Sequence, residues 1–150
     1  MPERYGWRLA AAPAFLEQYR ELLRAVEAIE MRDSRGAPAH PKTKLLKRVL
    51  QLVYDEIPRG PNAREYQLGN TLGPGHRHWR RAKFLGRFRL FFRFNSRSRV
   101  IVYAWVNDEN TLRKAGSRRD PYAVFADRLR AGNPPDSWED LIQAARDLPV

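Results

Sequence analysis

The sequence predicts an α+β fold: a pair of amphipathic helices packed on a small antiparallel sheet, followed by C-terminal helices. Apolar residues recur at helical spacing in two stretches before residue 58. Apolar and polar residues alternate in runs between residues 79 and 107. After residue 119 an Asp-Pro pair opens a further helical pattern. The 150 residues, 43% of them hydrophobic, fit one domain, 1–150, with enough apolar surface for a core.

The first helix spans 13–32. Phe15, Leu16, Tyr19, Leu22, Leu23, Val26 and Ile29 form its stripe. Pro13 suits the first turn, where its missing N–H costs nothing. Gly36, Pro38 and Pro41 mark a connection. A second helix runs from about Thr43 to Ile57, with Leu45, Leu46, Val49, Leu50 and Val53 on one side, and Pro58 and Gly60 end it. Each stripe of such a helical hairpin needs a sheet or another helix to cover it. Residues 58–77 are rich in Gly and Pro and read as a long loop, with a short strand near Glu65 to Leu68.

Three strands follow, about 79–84, 87–95 and 99–107. In the middle one, Phe88, Leu90, Phe92 and Phe94 share one face, and Arg87, Arg89, Phe91 and Arg93 the other. A three-residue loop at Phe84-Leu85-Gly86 puts Gly86 in the left-handed position. It sets Lys83 opposite Arg87, Arg81 opposite Arg89 and Trp79 opposite Phe91. A second three-residue loop, Ser96 to Ser98, sets Arg89 opposite Trp105 and Arg87 opposite Asn107. One face then carries Arg81, Lys83, Arg87, Arg89, Arg93, Tyr103, Trp105 and Asn107, and the apolar face covers the two helices. Asp120-Pro121 starts a helix with Tyr122, Phe125 and Leu129 on its stripe, stopped by Gly132 and Pro134-Pro135. A last helix spans about Ser137 to Asp147.

Charge points to the partner. Lys and Arg number 28 against 17 Asp and Glu, a net of +11. Between Asn70 and Asn107 stand nine basic residues and no acidic one. Like charges opposed across a sheet are unfavourable, so a polyanion is the expected occupant of that face. Phe91, Tyr103 and Trp105 offer rings for unpaired bases, or else serve as core under the last helices.

Other chemistries are excluded or poorly supported. The absence of cysteine removes disulfides, thiol nucleophiles and thiolate metal sites, and suits a reducing compartment. No secretory signal and no apolar membrane span is apparent, so a cytoplasmic protein is expected. His76 and His78 lie in a basic, Gly-rich loop with no carboxylate near in sequence, a poor metal-ligand set; they read as exposed loop residues, with His78 touching phosphate or moving a proton in the alternative. No phosphate loop, dinucleotide fingerprint or nucleophile elbow occurs. No cofactor is expected. RNA cleavage by the substrate's own 2′-hydroxyl remains; it needs alignment, cations for the phosphorane and proton transfer.

Arg87-Phe-Arg-Leu-Phe-Phe-Arg-Phe94 followed by Trp105-Val-Asn-Asp-Glu-Asn-Thr-Leu-Arg113 resembles the family of YhaV toxins. Leu72-Gly-Pro-Gly75, Trp79 to Phe84, Asp120 to Phe125 and Gly132 to Trp138 agree with it, so the likeness spans nearly the whole chain. The resemblance implies a RelE-like fold and a metal-independent endoribonuclease that cleaves messenger RNA in association with the ribosome. It also implies neutralisation by a PrlF-like antitoxin of the AbrB-like, swapped-hairpin type, which together with the toxin binds operator DNA. Carried onto this chain, the catalytic candidates are Arg81, Lys83, Arg89, Asp108, Glu109 and Arg113. The RNA-binding candidates are His78, Arg80, Arg87, Arg93, Tyr103, Trp105, Asn107 and Lys114. Arg81 and Arg89 are placed at the centre. Asp108 and Glu109 read as base or ribose contact, or as a loop and helix cap. RelE relatives often rely on a tyrosine or histidine near the C-terminus; here the last histidine is His78 and Tyr122 starts a predicted helix, so the resemblance assigns no proton-transfer group. Two rivals stand beside this reading: a non-catalytic RNA- or DNA-binding module, and a toxin of the same fold acting on a protein.

Overall fold

A computed structural model describes residues 1–108 and 120–149. A six-stranded sheet is packed on both faces. Its strands are β1 (Glu3–Arg4), β2 (Trp7–Ala11), β3 (Arg80–Phe84), β4 (Phe88–Asn95), β5 (Val100–Val106) and β6 (Arg146–Asp147). The order is β1-β2-β5-β4-β3, with β6 also on β2. The helices are α1 (Pro13–Arg32), α2 (Pro41–Gln51), the short α3 (Ile57–Arg59), α4 (Pro121–Arg130) and α5 (Trp138–Ala144).

The two long N-terminal helices form where the stripes predict them. Phe15 and Leu16 of α1 meet Val49 of α2, and both helices lie on Leu90, Phe92, Ile101 and Tyr103 of the sheet. The second helix runs past its last regular turn through a π-helical turn, Leu52–Glu56. In that turn Ile57 N–H bonds to Leu52 O, five residues back. The Val53 carbonyl accepts from the Tyr103 hydroxyl at 2.7 Å, which ties this turn to the sheet.

The sheet is mixed, not purely antiparallel: β2 pairs with β5 in parallel, Arg8 to Val100 through Ala11 to Tyr103. β2 was not predicted. It is short and alanine-rich, and alanine has little strand preference. Its Trp7, Leu9 and Ala11 face one core and Ala10 the other. The segment read as a strand near 65–68 is a 3-10 turn, Arg64–Tyr66, plus a single bridge from Gln67 to Arg80. The last helix ends at Ala144, and the chain then forms β6.

Both predicted registers need correction. The first turn is Leu85-Gly86-Arg87, closed by Phe84 opposite Phe88, so Lys83 faces Arg89 and Arg81 faces Phe91. Gly86 is left-handed as expected, and Leu85 is too, with φ of 80° and 45°. The slip is two residues, which preserves every side chain's face. The second turn is one residue longer than predicted: Asn95 pairs with Val100, and Arg99 takes φ 56°. One residue reverses the faces, so Tyr103 pairs with Phe92 and points into the helical core. A β-bulge between Phe91 and Phe92 absorbs a further residue and restores the parity, so Trp105 pairs with Phe91.

The arginine face is not open along its length. Trp79, Phe91, Val102 and Trp105 form a second core with Phe125, Leu129 and Leu141 of α4 and α5. Phe125 stacks on Phe91 with ring centroids 4.2 Å apart, lies flat to Trp105, and meets the edge of Trp79.

Burial pushes the phenols of Tyr54 and Tyr66 up to about 12, and that of Tyr103 well above its usual range. In the unfolded chain such phenols ionise near pH 10. Unfolding therefore releases protons above pH 10. Their contribution to stability is intact below pH 10 and is lost as pH rises through about 12. Denaturant midpoints are expected to fall between pH 9 and pH 11, and to fall less in Tyr66→Phe.

Candidate functional site

The exposed end of the arginine face gathers the candidate site residues. Alternation in β3 and β4 puts Arg81, Lys83 and Arg89 on one side, with Lys83 directly opposite Arg89. No carboxylate among the described residues forms an ion pair with these three. α4 supplies what the strands lack. Asp120 caps it by accepting from Tyr122 N at 2.8 Å, and Pro121 occupies its first turn. That start, anchored one turn later by Phe125, aims Tyr122 at the strands. Its hydroxyl oxygen accepts from Arg81 Nε at 3.0 Å and from Arg89 Nε at 3.1 Å.

Each arginine is held by more than the phenol. Arg81 Nη1 donates to Gln67 O at 2.7 Å. Arg89 Nη1 donates to Gly86 O and Phe88 O at 2.9 and 2.8 Å. No partner among the described residues takes Nη2 of either. With both Nε groups donating to the Tyr122 oxygen, its own proton is directed away from them. Two fixed guanidinium groups and an outward phenol O–H suit a phosphodiester: cations for the equatorial oxygens, an acid for the departing one.

The other candidates divide. Lys83 is exposed beside this cluster, and Arg87 is exposed in the turn. Asn107 lies 2% exposed and is a latch, not an RNA contact. Its Oδ1 accepts from Arg89 N at 2.6 Å and its Nδ2 donates to Arg87 O at 3.1 Å. Gln18 of α1 fixes the preceding residue through both Val106 N and Val106 O. Tyr103 is corrected: it is wholly buried on the helical side, for the reason of register given above. Trp105 shares the arginine side but is 6% exposed, under Phe125 and Arg128, so it offers no ring to a base. Arg80 points the other way, to the carbonyls of Arg77 and Trp79 and to Asn62, with its guanidinium over Phe94. Arg93 lies over Trp79 and Trp138 and donates to the Asp136 carbonyl. Asp108 is exposed, lining a cavity of about 480 Å³ with Gln18, Phe88 and Asn107. Glu109, Arg113 and Lys114 lie outside the described residues.

His78 is not a free loop residue, and neither is His76. Asp136, just before α5, accepts on one oxygen from His76 Nδ1 at 3.1 Å, His78 Nε2 at 3.0 Å and Trp79 Nε1 at 2.8 Å. Burial, then the charge of Arg93, lowers the His78 pKa. Burial alone would raise the Asp136 carboxyl, but the three N–H donors outweigh it and hold it low.

Sequence reasoning left the roles of Tyr122 and Asp136 unassigned. Tyr122 carried a signal, a polar tip on the apolar stripe of Phe125 and Leu129. Asp136 carried none, since its partners stand 57 to 60 residues away.

A family model described as a toxin with endonuclease activity, of a toxin–antitoxin system, matches residues 9–146. The chain belongs to the YhaV toxin family. Ribonuclease toxin YhaV of Escherichia coli strain K12 is 41% identical over 138 residues, covering 91% of this chain and 90% of that protein. Toxin YhaV of Escherichia coli O6:H1 is 41% identical over 140 residues, covering 92% and 91%. No solved structure matches the chain. As a member of the YhaV family this protein is an enzyme, an endonuclease, and its partner is an antitoxin. The match runs from β2 into β6, so it contains the whole Arg81–Tyr122–Arg89 cluster. No described helix is long and apolar enough to cross a membrane.

Proposed function

We propose that this protein cleaves messenger RNA engaged on the ribosome, without a catalytic metal, by attack of the 2′-oxygen on the adjacent phosphorus. The fold is read as RelE-like, with two helices under the sheet and the cleavage chemistry on its other side. The observation that carries the reading is the Tyr122 hydroxyl held between Arg81 and Arg89. The two guanidinium groups grip the non-bridging oxygens and stabilise the pentavalent phosphorane. Tyr122 gives its proton to the departing 5′-oxygen. Lys83 and Arg87 guide the flanking phosphates. The base that takes the 2′-proton is drawn from Asp108 and Glu109. The products are a 2′,3′-cyclic phosphate and a 5′-hydroxyl end.

The antitoxin is read as PrlF-like, silencing the cytoplasmic toxin by laying an acidic segment over the same cations and joining it on operator DNA. A surface on which Lys83 opposes Arg89, with no carboxylate among the described residues ion-paired to either, gains most from such a cover. The test is scission of ribosome-engaged messenger by the wild-type protein and by Arg81→Ala. RNA retained but uncut by active wild-type protein would leave only a binding module.

A further inference from the structure

We propose that His76, His78 and Asp136 form a binding site for one divalent first-row metal ion of the zinc type, which clamps the C-terminal layer to the sheet. The site stands apart from the cleavage cluster and does not depend on it.

Two segments remote in the chain bring the ligands together. His76 and His78 come from the Gly-rich stretch before β3, Asp136 from the turn before α5. Their ligand atoms all lie within 4.8 Å of one another. The imidazole-to-carboxylate separations, 3.1 and 3.0 Å, are close to the edge of a tetrahedron with zinc-length bonds, about 3.3 Å.

Lone-pair arithmetic favours a cation over the hydrogen bonds alone. Asp136 Oδ1 faces three N–H groups, two imidazole and one indole. A carboxylate oxygen has two lone pairs. A metal ion replaces both imidazole protons, uses one lone pair, and leaves the other for Trp79. The indole is then the outer partner that orients a metal-ligating carboxylate. It is rigid, being wholly buried and set edge-on to Phe125 at 5.0 Å.

The donor set is two nitrogens and one oxygen, which suits zinc, cobalt or nickel. Three protein ligands leave a fourth position for water. The side chains are 22%, 36% and 37% exposed, so an ion can enter. Arg93 opposes the ion by its charge, although its guanidinium is directed to the Asp136 carbonyl and two indole faces.

The test is calorimetric titration of the chelator-treated full-length protein with zinc chloride, with cobalt(II) absorption as a second readout. One ion per chain is expected, with the intense visible bands of four-coordinate cobalt and a higher melting temperature. His76→Ala and His78→Gln are expected to weaken zinc binding by about 100-fold or more, as loss of an inner ligand exceeds the effect of an outer one. In His78→Gln the new side-chain amide can still donate to Asp136, and in Asp136→Asn the amide oxygen can still accept from Trp79, so both variants keep the fold. His40→Ala is expected to bind as wild type. No stoichiometric binding by the wild type, or equal binding by His78→Gln, overturns the proposal.

Discussion

Arg89→Ala is expected to lower the rate of RNA scission by about 10²–10³-fold, the usual effect of removing one donor that stabilises a transition-state anion. Fold should survive the change. Arg89 sits at the exposed end of β4, and the backbone amide that donates to Asn107 is retained in alanine. Tyr122→Phe is expected to cost about 10²-fold or more, as loss of a positioned proton donor does. The phenylalanine ring keeps the edge contact with Phe91 that Tyr122 makes at 5.7 Å. Because one hydroxyl joins the two guanidinium groups, the Arg89→Ala/Tyr122→Phe pair should lose less than the product of the single effects. Rates measured on ribosome-engaged messenger, with circular dichroism as the control for folding, check all three. Independent, multiplicative losses would mean that Arg89 and Tyr122 do not act as a unit.

Phe125→Ala carries the largest expected cost in stability. The ring is wholly buried and touches Phe91, Trp105 and Trp79 at once. Truncating a buried phenylalanine costs about 3–5 kcal/mol. It also frees the helix that presents Tyr122, so cleavage should fall even where the sheet remains folded. Phe125→Leu, which fills much of the volume, should recover most of the stability. A denaturant series on the three proteins separates these outcomes. A loss near 1 kcal/mol in Phe125→Ala, well under the roughly 3 kcal/mol floor for such a truncation, would mean that α4 is not anchored through this ring.

Strong local periodicity made parts of this molecule legible from sequence. The α1 stripe held the helix's buried residues, Phe15, Leu16, Val26 and Ile29, and the β4 alternation put Leu90 and Phe92 in the helical core, while Phe91 on the other face is buried as well. The alternation alone put Arg81, Lys83 and Arg89 on one face, and a two-residue error in register did no harm to that result. Features without a local signature were lost. β2 is short and alanine-rich, and its partner stands some 90 residues on. The turn after Asn95 is one residue longer than symmetry suggests, with Arg99 in a left-handed conformation that favours glycine, and this carried Tyr103 to the opposite face. The Asp120-Pro121 start was readable, but not that it would deliver Tyr122 to Arg81 and Arg89, 41 and 33 residues away. Asp136 likewise meets its two histidines only through the fold.

The most direct test of the cleavage chemistry is a matched pair of ribosome-bound messengers, one all ribose, the other with a single 2′-deoxy substitution at the mapped cut site. The wild-type protein is expected to cut the first, leaving a 2′,3′-cyclic phosphate and a 5′-hydroxyl end, and to spare the second at that position. Equal scission of both, or a 5′-phosphate end on the product, would contradict attack by the substrate's own oxygen, and with it the roles given to Arg81, Arg89 and Tyr122.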